Sequence, residues 1–426
     1  NKQVTMTKDR EVVLTGQGVV SPIGIGTDAY WESLLAGKSG VVRIDLFAGN
    51  DLPVPIGGVI SDFDPKKMVK PRKSLKVMSR DIQLAYVAAD LAYQDAGLEV
   101  GQLDPDRSGV VFGSDMIAAD LDELRPAFAT VMENGYVHFE RWGDEAMAQM
   151  YPLWMLKYLP NMPACHIGIT KDARGPSNSV TQGEASALLA ISEAYHIIQR
   201  GAADMMIAGG TASRVHPTMW AYGRSYALSK RTAVPHEASR PFDAGRDGMV
   251  HGEGAGAFVL ENRESAEARG AKILAVVEGV ANFCDATKPG TPSNGNAIRN
   301  VLKSLLDQGK IAADQVAHLN AEGLSTVEDD RVEASAIADV LGQVPVTAPK
   351  SYFGNLGGGA GAVELVASLL GLQKELVPPT LNYTTPDPTC PINVVHGEPL
   401  AQANPYAIAI NHLRSARCVG LLLKRA

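Results

Sequence analysis

The stretch Gly175-Pro-Ser-Asn-Ser-Val-Thr-Gln-Gly-Glu184-Ala-Ser-Ala187 reads as a turn, a short buried strand and then an abruptly entered helix that continues from Leu188 to Tyr195. A helix N-terminus offers unpaired N–H groups and the positive end of a dipole to any negative charge placed there. The residue at this strand-to-helix corner is the one a catalyst would use, and here it is Glu184.

Strands and helices alternate on both sides of that corner. Upstream, Glu11 to Gly24 is an apolar strand breaking into a Gly/Pro turn, Asp28–Ala36 and Met78–Ala96 have helical spacing, and Gly109–Ser114 is a second buried strand. Downstream, Ala203–Thr211 is a buried strand with a tight Gly turn, and a glycine-dense loop from Ser239 to Gly256 leads into the strand Ala257–Glu261. An exposed polar helix at Glu264–Gly270 marks a boundary, after which the pattern repeats: strand Ile273–Val280, helix Ala297–Gln308, strand Ala317–Asn320, helix Asp330–Val340, and the run Ala348 to Glu364 opening another helix. This alternation predicts an α/β protein with a mostly parallel sheet, in two related halves at 1–265 and 266–426. Between two strands of the first half, residues 116–160 are expected to form an inserted cap, whose Trp142, Tyr151, Trp154 and Tyr158 fit a core or an oligomer interface better than a cofactor box.

Composition narrows the function. The 426 residues carry a net charge of −8, which argues against a nucleic-acid footprint. The one basic run, Lys66, Lys67, Lys70, Arg72, Lys73 and Lys76, fits a solvated surface or the docking face of an acidic carrier. Cys165, Cys284, Cys390 and Cys418 have no metal-ligand spacing, and Cys284 reads as a small buried hydrophobe. No stretch reaches the roughly 18 apolar residues of a membrane helix, and the polar start is no signal peptide, so a cytoplasmic protein is expected. Glycine clusters such as Gly252–Gly256 and Gly357–Gly361 lack dinucleotide-binding spacing, and no cofactor is expected.

Several of these stretches together resemble the β-ketoacyl-acyl carrier protein synthases of the type II elongating kind, within the thiolase fold. The resemblance is carried by Val13 to Gly24, Gly175-Pro-Ser, Ala203 to Gly210, Arg240-Pro-Phe-Asp with Arg246-Asp-Gly, Gly252 to Gly256, Asn320-Ala-Glu-Gly323, and Lys350-Ser with Gly354. It implies a five-layer αβαβα sandwich of two related halves, normally a homodimer, acting on acyl thioesters of an acyl carrier protein. It also implies a cysteine at the helix corner that accepts the acyl chain, and two histidines that assist decarboxylation.

This chain departs from the family at all three positions. Glu184 replaces the cysteine, Glu322 the first histidine and Asn355 the second, while Lys350, Asp330 and Glu333 match the family pattern. The C-terminal Gly/Phe loop is replaced by Asn411-His-Leu-Arg-Ser-Ala-Arg417. Three readings follow. Glu184 could be an ionised lock paired with Lys350 over an unused site. Glu184 and Glu322 could form a facing acid–base pair, biased by Lys350, that works on an acyl thioester. Or the chain could be a non-condensing partner resembling a chain-length factor, in a heterodimer with an intact ketosynthase; that group usually carries Gln at the nucleophile position, and Gln182 lies two residues too early. His166 and His251 read as packing histidines, and Asp243, Arg246, Asp247 and Glu253 as braces of the glycine-rich loop.

Overall fold

The computed structural model describes residues 10–44, 56–222, 227–285, 293–413 and 417–426. In the first half the sheet strands are β1 (Val12–Ser21), β2 (Ser108–Ser114), β3 (Ser177–Val180), β4 (Met205–Ser213) and β5 (His251–Asn262). In the second half they are β6 (Ala275–Cys284), β7 (Val316–Asn320), β8 (Pro345–Thr347), β9 (Tyr406–His412) and β10 (Arg417–Arg425). The spatial order is β1-β5-β4-β2-β3 in one half and β6-β10-β9-β7-β8 in the other, so first, fifth, fourth, second and third strands fall in the same sequence twice. The halves join where Val13 and Leu14 pair with Val276 and Ala275.

Among these ten strands each half contains two parallel ladders and two antiparallel ones, which corrects the expectation of a mostly parallel sheet. Only the β2, β3 and β4 type of strand is fed through a covering helix. The last strand of each half returns antiparallel between the fourth and the first.

The main helices are α1 (Thr27–Leu35), α2 (Arg80–Asp95), α3 (Leu121–Thr130), α4 (Met162–Lys171), α5 (Ser186–Gln199), α6 (Asn296–Gly309), α7 (Val327–Leu341) and α8 (Ala360–Lys374). α2 and α4 cover the outer face of the first sheet, and α6 covers the outer face of the second with α7 packed against it. α5 and α8 lie between the sheets and touch both, which completes five layers. Both central helices are nearly free of charge, as a helix buried all round must be.

Among the described residues β3 is the outer edge of its sheet and pairs only with β2, so Ser177 and Asn178 are exposed. The strand before Glu184 is therefore not the buried one its sequence suggests. Residues 116–160 hold α3, a two-residue hairpin and several short turns around a small core of Ala127, Val131 and Ala146. Trp142 packs edge-on against Phe128 at 4.9 Å, whereas Tyr136, Phe139 and Tyr151 are exposed.

Close layer packing depends on glycine at a few places. A Cβ on Gly18 of β1 would lie 2.1 Å from the Ala88 carbonyl oxygen and 2.6 Å from the Ala92 nitrogen of α2. Gly18→Ala should therefore cost about 1–3 kcal/mol in chemical denaturation, since both obstacles are backbone. Gly143→Ala, where a Cβ would meet nothing within 4 Å, should leave the midpoint unchanged.

Candidate functional site

The N-termini of α5 and α8 approach the same point from the two halves, and the ends of β2, β4, β7 and β9 surround it. Glu184 lies in the turn Gly183–Ala185 that opens α5, where Gly183 has φ +51°. The first residues past β2 and β4 are Asp115 and Arg214. In the second half, Glu322 follows β7, the short helix Lys350–Phe353 follows β8, and Glu364 stands in the second turn of α8.

Glu184 is buried, and its cation is Arg214. Arg214 Nη1 donates to Glu184 Oε1 at 2.6 Å, and Asn355 Nδ2 donates to the same oxygen at 2.9 Å. Arg214 Nε donates to Asp115 Oδ2 at 2.8 Å, while Asp115 Oδ1 accepts from the Gly358 N–H at 3.1 Å. Burial alone would push the Glu184 carboxyl up; the Arg214 guanidinium and the Asn355 amide outweigh it and hold the group down to about 2. Arg214, despite burial, is held fully charged by Asp115 and Glu184.

Lys350 serves a second cluster instead. Its Nζ lies 3.0 Å from Glu322 Oε1 and 2.5 Å from Glu364 Oε1. Asn411 Nδ2 bridges the same carboxylates, at 2.8 Å from Glu322 Oε2 and 3.0 Å from Glu364 Oε2. Burial raises Glu322, against the pull of Lys350, and burial with the neighbouring Glu322 charge brings Glu364 to about 7. The expected Glu184–Lys350 lock is thus replaced by Glu184–Arg214, because the Lys350 ammonium is engaged on the C-terminal side. Glu184 and Glu322 share no hydrogen bond among the described residues. The carboxylates that face one another are Glu322 and Glu364.

Glu333 and Asp330 brace the surroundings. Glu333 accepts from the N–H groups of Glu322 at 2.7 Å and Gly323 at 2.9 Å, and faces His412 Nε2 at 3.5 Å. Burial pushes the His412 imidazole down, but Glu333 more than reverses this, to about 9. Asp330 accepts from the Phe242 N–H at 2.8 Å, which fixes a residue with φ +61°. Asp243, Arg246, Asp247 and Glu253 do brace the glycine-rich loop, for example through Thr384, Thr385, Asp387, Ser229 and Arg80. His251 packs edge-on against Trp220 at 5.7 Å, and burial, then Arg214, lowers it to about 3, so it is neutral.

Burial raises Cys418, on β10, far above the usual thiol range. Cys284 is exposed, not buried as its sequence suggests, because it ends β6 at the surface; its Sγ accepts from Arg417 Nε at 3.2 Å. Arg417 is thereby drawn to β6, and Arg414 lies outside the described residues. Arg214, Asp115 and Glu364 were missed in the sequence. Their signal was a charged residue directly after a buried small-residue strand, and a lone acid in an otherwise apolar helix. Among the described residues no group of three His, Cys, Asp or Glu could hold a metal ion, and no helix is long and apolar enough to cross a membrane.

Comparison with known proteins places this geometry. Residues 9–266 match the family "Beta-ketoacyl synthase, N-terminal domain", and residues 274–384 match "Beta-ketoacyl synthase, C-terminal domain". The 3-oxoacyl-[acyl-carrier-protein] synthase 2 of Synechocystis sp. is 35% identical over 397 residues, 91% of this chain and 92% of that one. The ishigamide ketosynthase/chain length factor structure superposes with a TM-score of 0.85 at 29% identity, over 98% of this chain and 100% of that one. A type II PKS acyl-carrier protein in complex with its ketosynthase gives 0.83 at 28% identity, with the same coverage.

The shifts set a pH profile. Glu184 and Asp243, held to about 2, add stability above their ordinary values of 4.5 and 3.8 that is lost as pH falls. His251 and His318, lowered by burial to about 3 and 4, likewise favour the fold as pH rises to 6.5. Glu364, Asp330 and Asp81, raised to about 7, ionise more easily when unfolded, so their contribution falls as pH climbs to 7. The His412 contribution is complete below 6.5 and lost through about 9. Above pH 4.5 the three raised acids outnumber the two lowered histidines, so the melting temperature should peak near pH 4.5 and decline through pH 7 toward pH 9. In calorimetry, Glu364→Gln should move that maximum upward.

Proposed function

The chain belongs to the beta-ketoacyl synthase family, and from that premise we propose that it serves fatty-acid or polyketide assembly as a ketosynthase-fold subunit that does not itself condense acyl units. The observation that carries this reading is the state of Glu184. An acyl group on a carboxylate would be a labile mixed anhydride, and a carboxylate held ionised by Arg214 is a poor nucleophile toward a thioester. The two imidazole positions hold Glu322 and Asn355, each engaged in hydrogen bonds of its own.

In this reading the halves 1–265 and 266–426, with the cap at 116–160, keep the family scaffold for docking, in the cytoplasm. The partners are an acyl carrier protein and either a second copy or, as in a ketosynthase/chain-length-factor pair, an intact ketosynthase. Support comes from the exposed basic run Lys66–Lys76, suited to an acidic carrier, and from apolar side chains exposed on the cap, including Tyr136, Phe139 and Met155. The acid–base alternative through Glu184 and Glu322 has less behind it, since each carboxylate is committed to its own cation. It requires that Glu184→Gln abolish turnover of an acyl thioester.

Incubation with octanoyl-carrier protein should leave the intact mass of the chain unchanged; a stable acyl adduct would overturn the reading. Co-expression with an intact type II ketosynthase should give a heterodimer in native mass spectrometry. A strict homodimer would remove the partner role.

A further inference from the structure

The charged ring around Glu184 does more than neutralise it. Arg214 enters from the end of β4 with its side chain 6% exposed, and its guanidinium lies directly against the Glu184 carboxylate. Asp115 holds the guanidinium from the other side, through Nε at 2.8 Å. Asn355 spans the ring: its Nδ2 donates to Glu184 and its Oδ1 accepts from the Gly357 N–H at 3.0 Å. None of these four side chains has a buried polar atom left without a partner. Arg214 Nε, Arg214 Nη1 and Asn355 Nδ2 are thus already given to carboxylates of the ring.

The backbone is shaped to admit this arrangement. Gly357 has φ +53°, and a Cβ there would lie 2.1 Å from Asp115 Oδ2 and 2.4 Å from Arg214 Nε. Only glycine leaves room for the Asp115–Arg214 pair at the entrance to α8. The same pair abuts the Gly358 N–H, one of the unpaired donors that precede α8.

We propose that Arg214, anchored by Asp115 and accommodated by Gly357, is a built-in plug that closes the α5 corner to acyl thioesters. The site is then shut sterically, apart from any loss of reacting groups. The inference rests on the reading that Glu184 stands at the acyl-accepting corner, and it adds that this corner is physically occupied.

The test introduces a reporter at the corner: Glu184→Cys alone, and Glu184→Cys with Arg214→Ala and Asp115→Asn. Alkylation of residue 184 by iodoacetamide is followed by peptide mass spectrometry, with the exposed Cys284 as internal reference. Removing the plug should speed alkylation at residue 184 at least about tenfold, even though it also removes a cation that favours the thiolate. Equal or faster alkylation in the single variant would overturn the proposal. If the triple variant does not fold, as circular dichroism would reveal, Arg214→Gln in place of Arg214→Ala shortens the plug while keeping a hydrogen-bonding side chain, and the same comparison decides. An acyl adduct on the unaltered chain would end the non-condensing reading without touching this comparison, so the two can fail separately.

Discussion

A carboxylate taken out of water must find a cation or a proton, and the architecture around the two central helices turns on how Glu184 meets that demand. Its solution is Arg214, which reaches across from β4 and needs Asp115, Asn355 and the bare backbone of Gly357 to hold its position. Withdrawing one partner from such a set leaves a buried charge uncompensated, typically a loss of about 3–5 kcal/mol. The group therefore behaves as a unit. It is also a structural joint between the halves, since Glu184, Arg214 and Asp115 come from the first and Asn355 and Gly357 from the second.

The repeated strand order explains why the joint forms at this point. In each half the second and fourth strands end beside the N-terminus of a central helix, so Asp115 and Arg214 in one half are placed as Glu322 and the Asn411–His412 pair are in the other. Close contact between sheet and helix is what brings the ends together. Gly113 of β2 packs against the Ser186–Ala187 backbone of α5, and Gly256 of β5 against Ala362 of α8. Bulk at either place would move the helix N-termini by more than the hydrogen bonds of the ring could follow.

Much of this was legible in the sequence. Element type followed from periodicity and glycine breaks, and the corner position of Glu184 followed from the abrupt strand-to-helix change. Strand direction was not legible, because β5 carries the same small buried residues as the mutually parallel β2 and β4 of its sheet. The exposure of β3 was hidden too, since edge position depends on what lies beside a strand. The pairing of Glu184 escaped for a different reason. Arg214 is 30 residues away and Asp115 99 residues from Arg214, and nothing in local spacing ranks Arg214 above Lys350 as the partner.

Each half, as it turns out, sets one cation between two carboxylates: Arg214 with Glu184 and Asp115, Lys350 with Glu322 and Glu364. The two clusters nonetheless resolve their excess negative charge differently, and the cations explain why. A guanidinium is a planar fork that can donate to two carboxylates along separate edges. With Asn355 and the Gly358 N–H adding donors, Glu184 stays ionised at about 2. An ammonium is a compact point charge. Lys350 meets Glu322 and Glu364 at 3.0 and 2.5 Å, and a single amide, Asn411, must serve both. Burial, with the neighbouring Glu322 charge, therefore prevails over Lys350, and Glu364 titrates at about 7. The N-terminal cluster is consequently fixed in charge, and whatever responsiveness to pH the buried centre retains belongs to the cluster around Lys350.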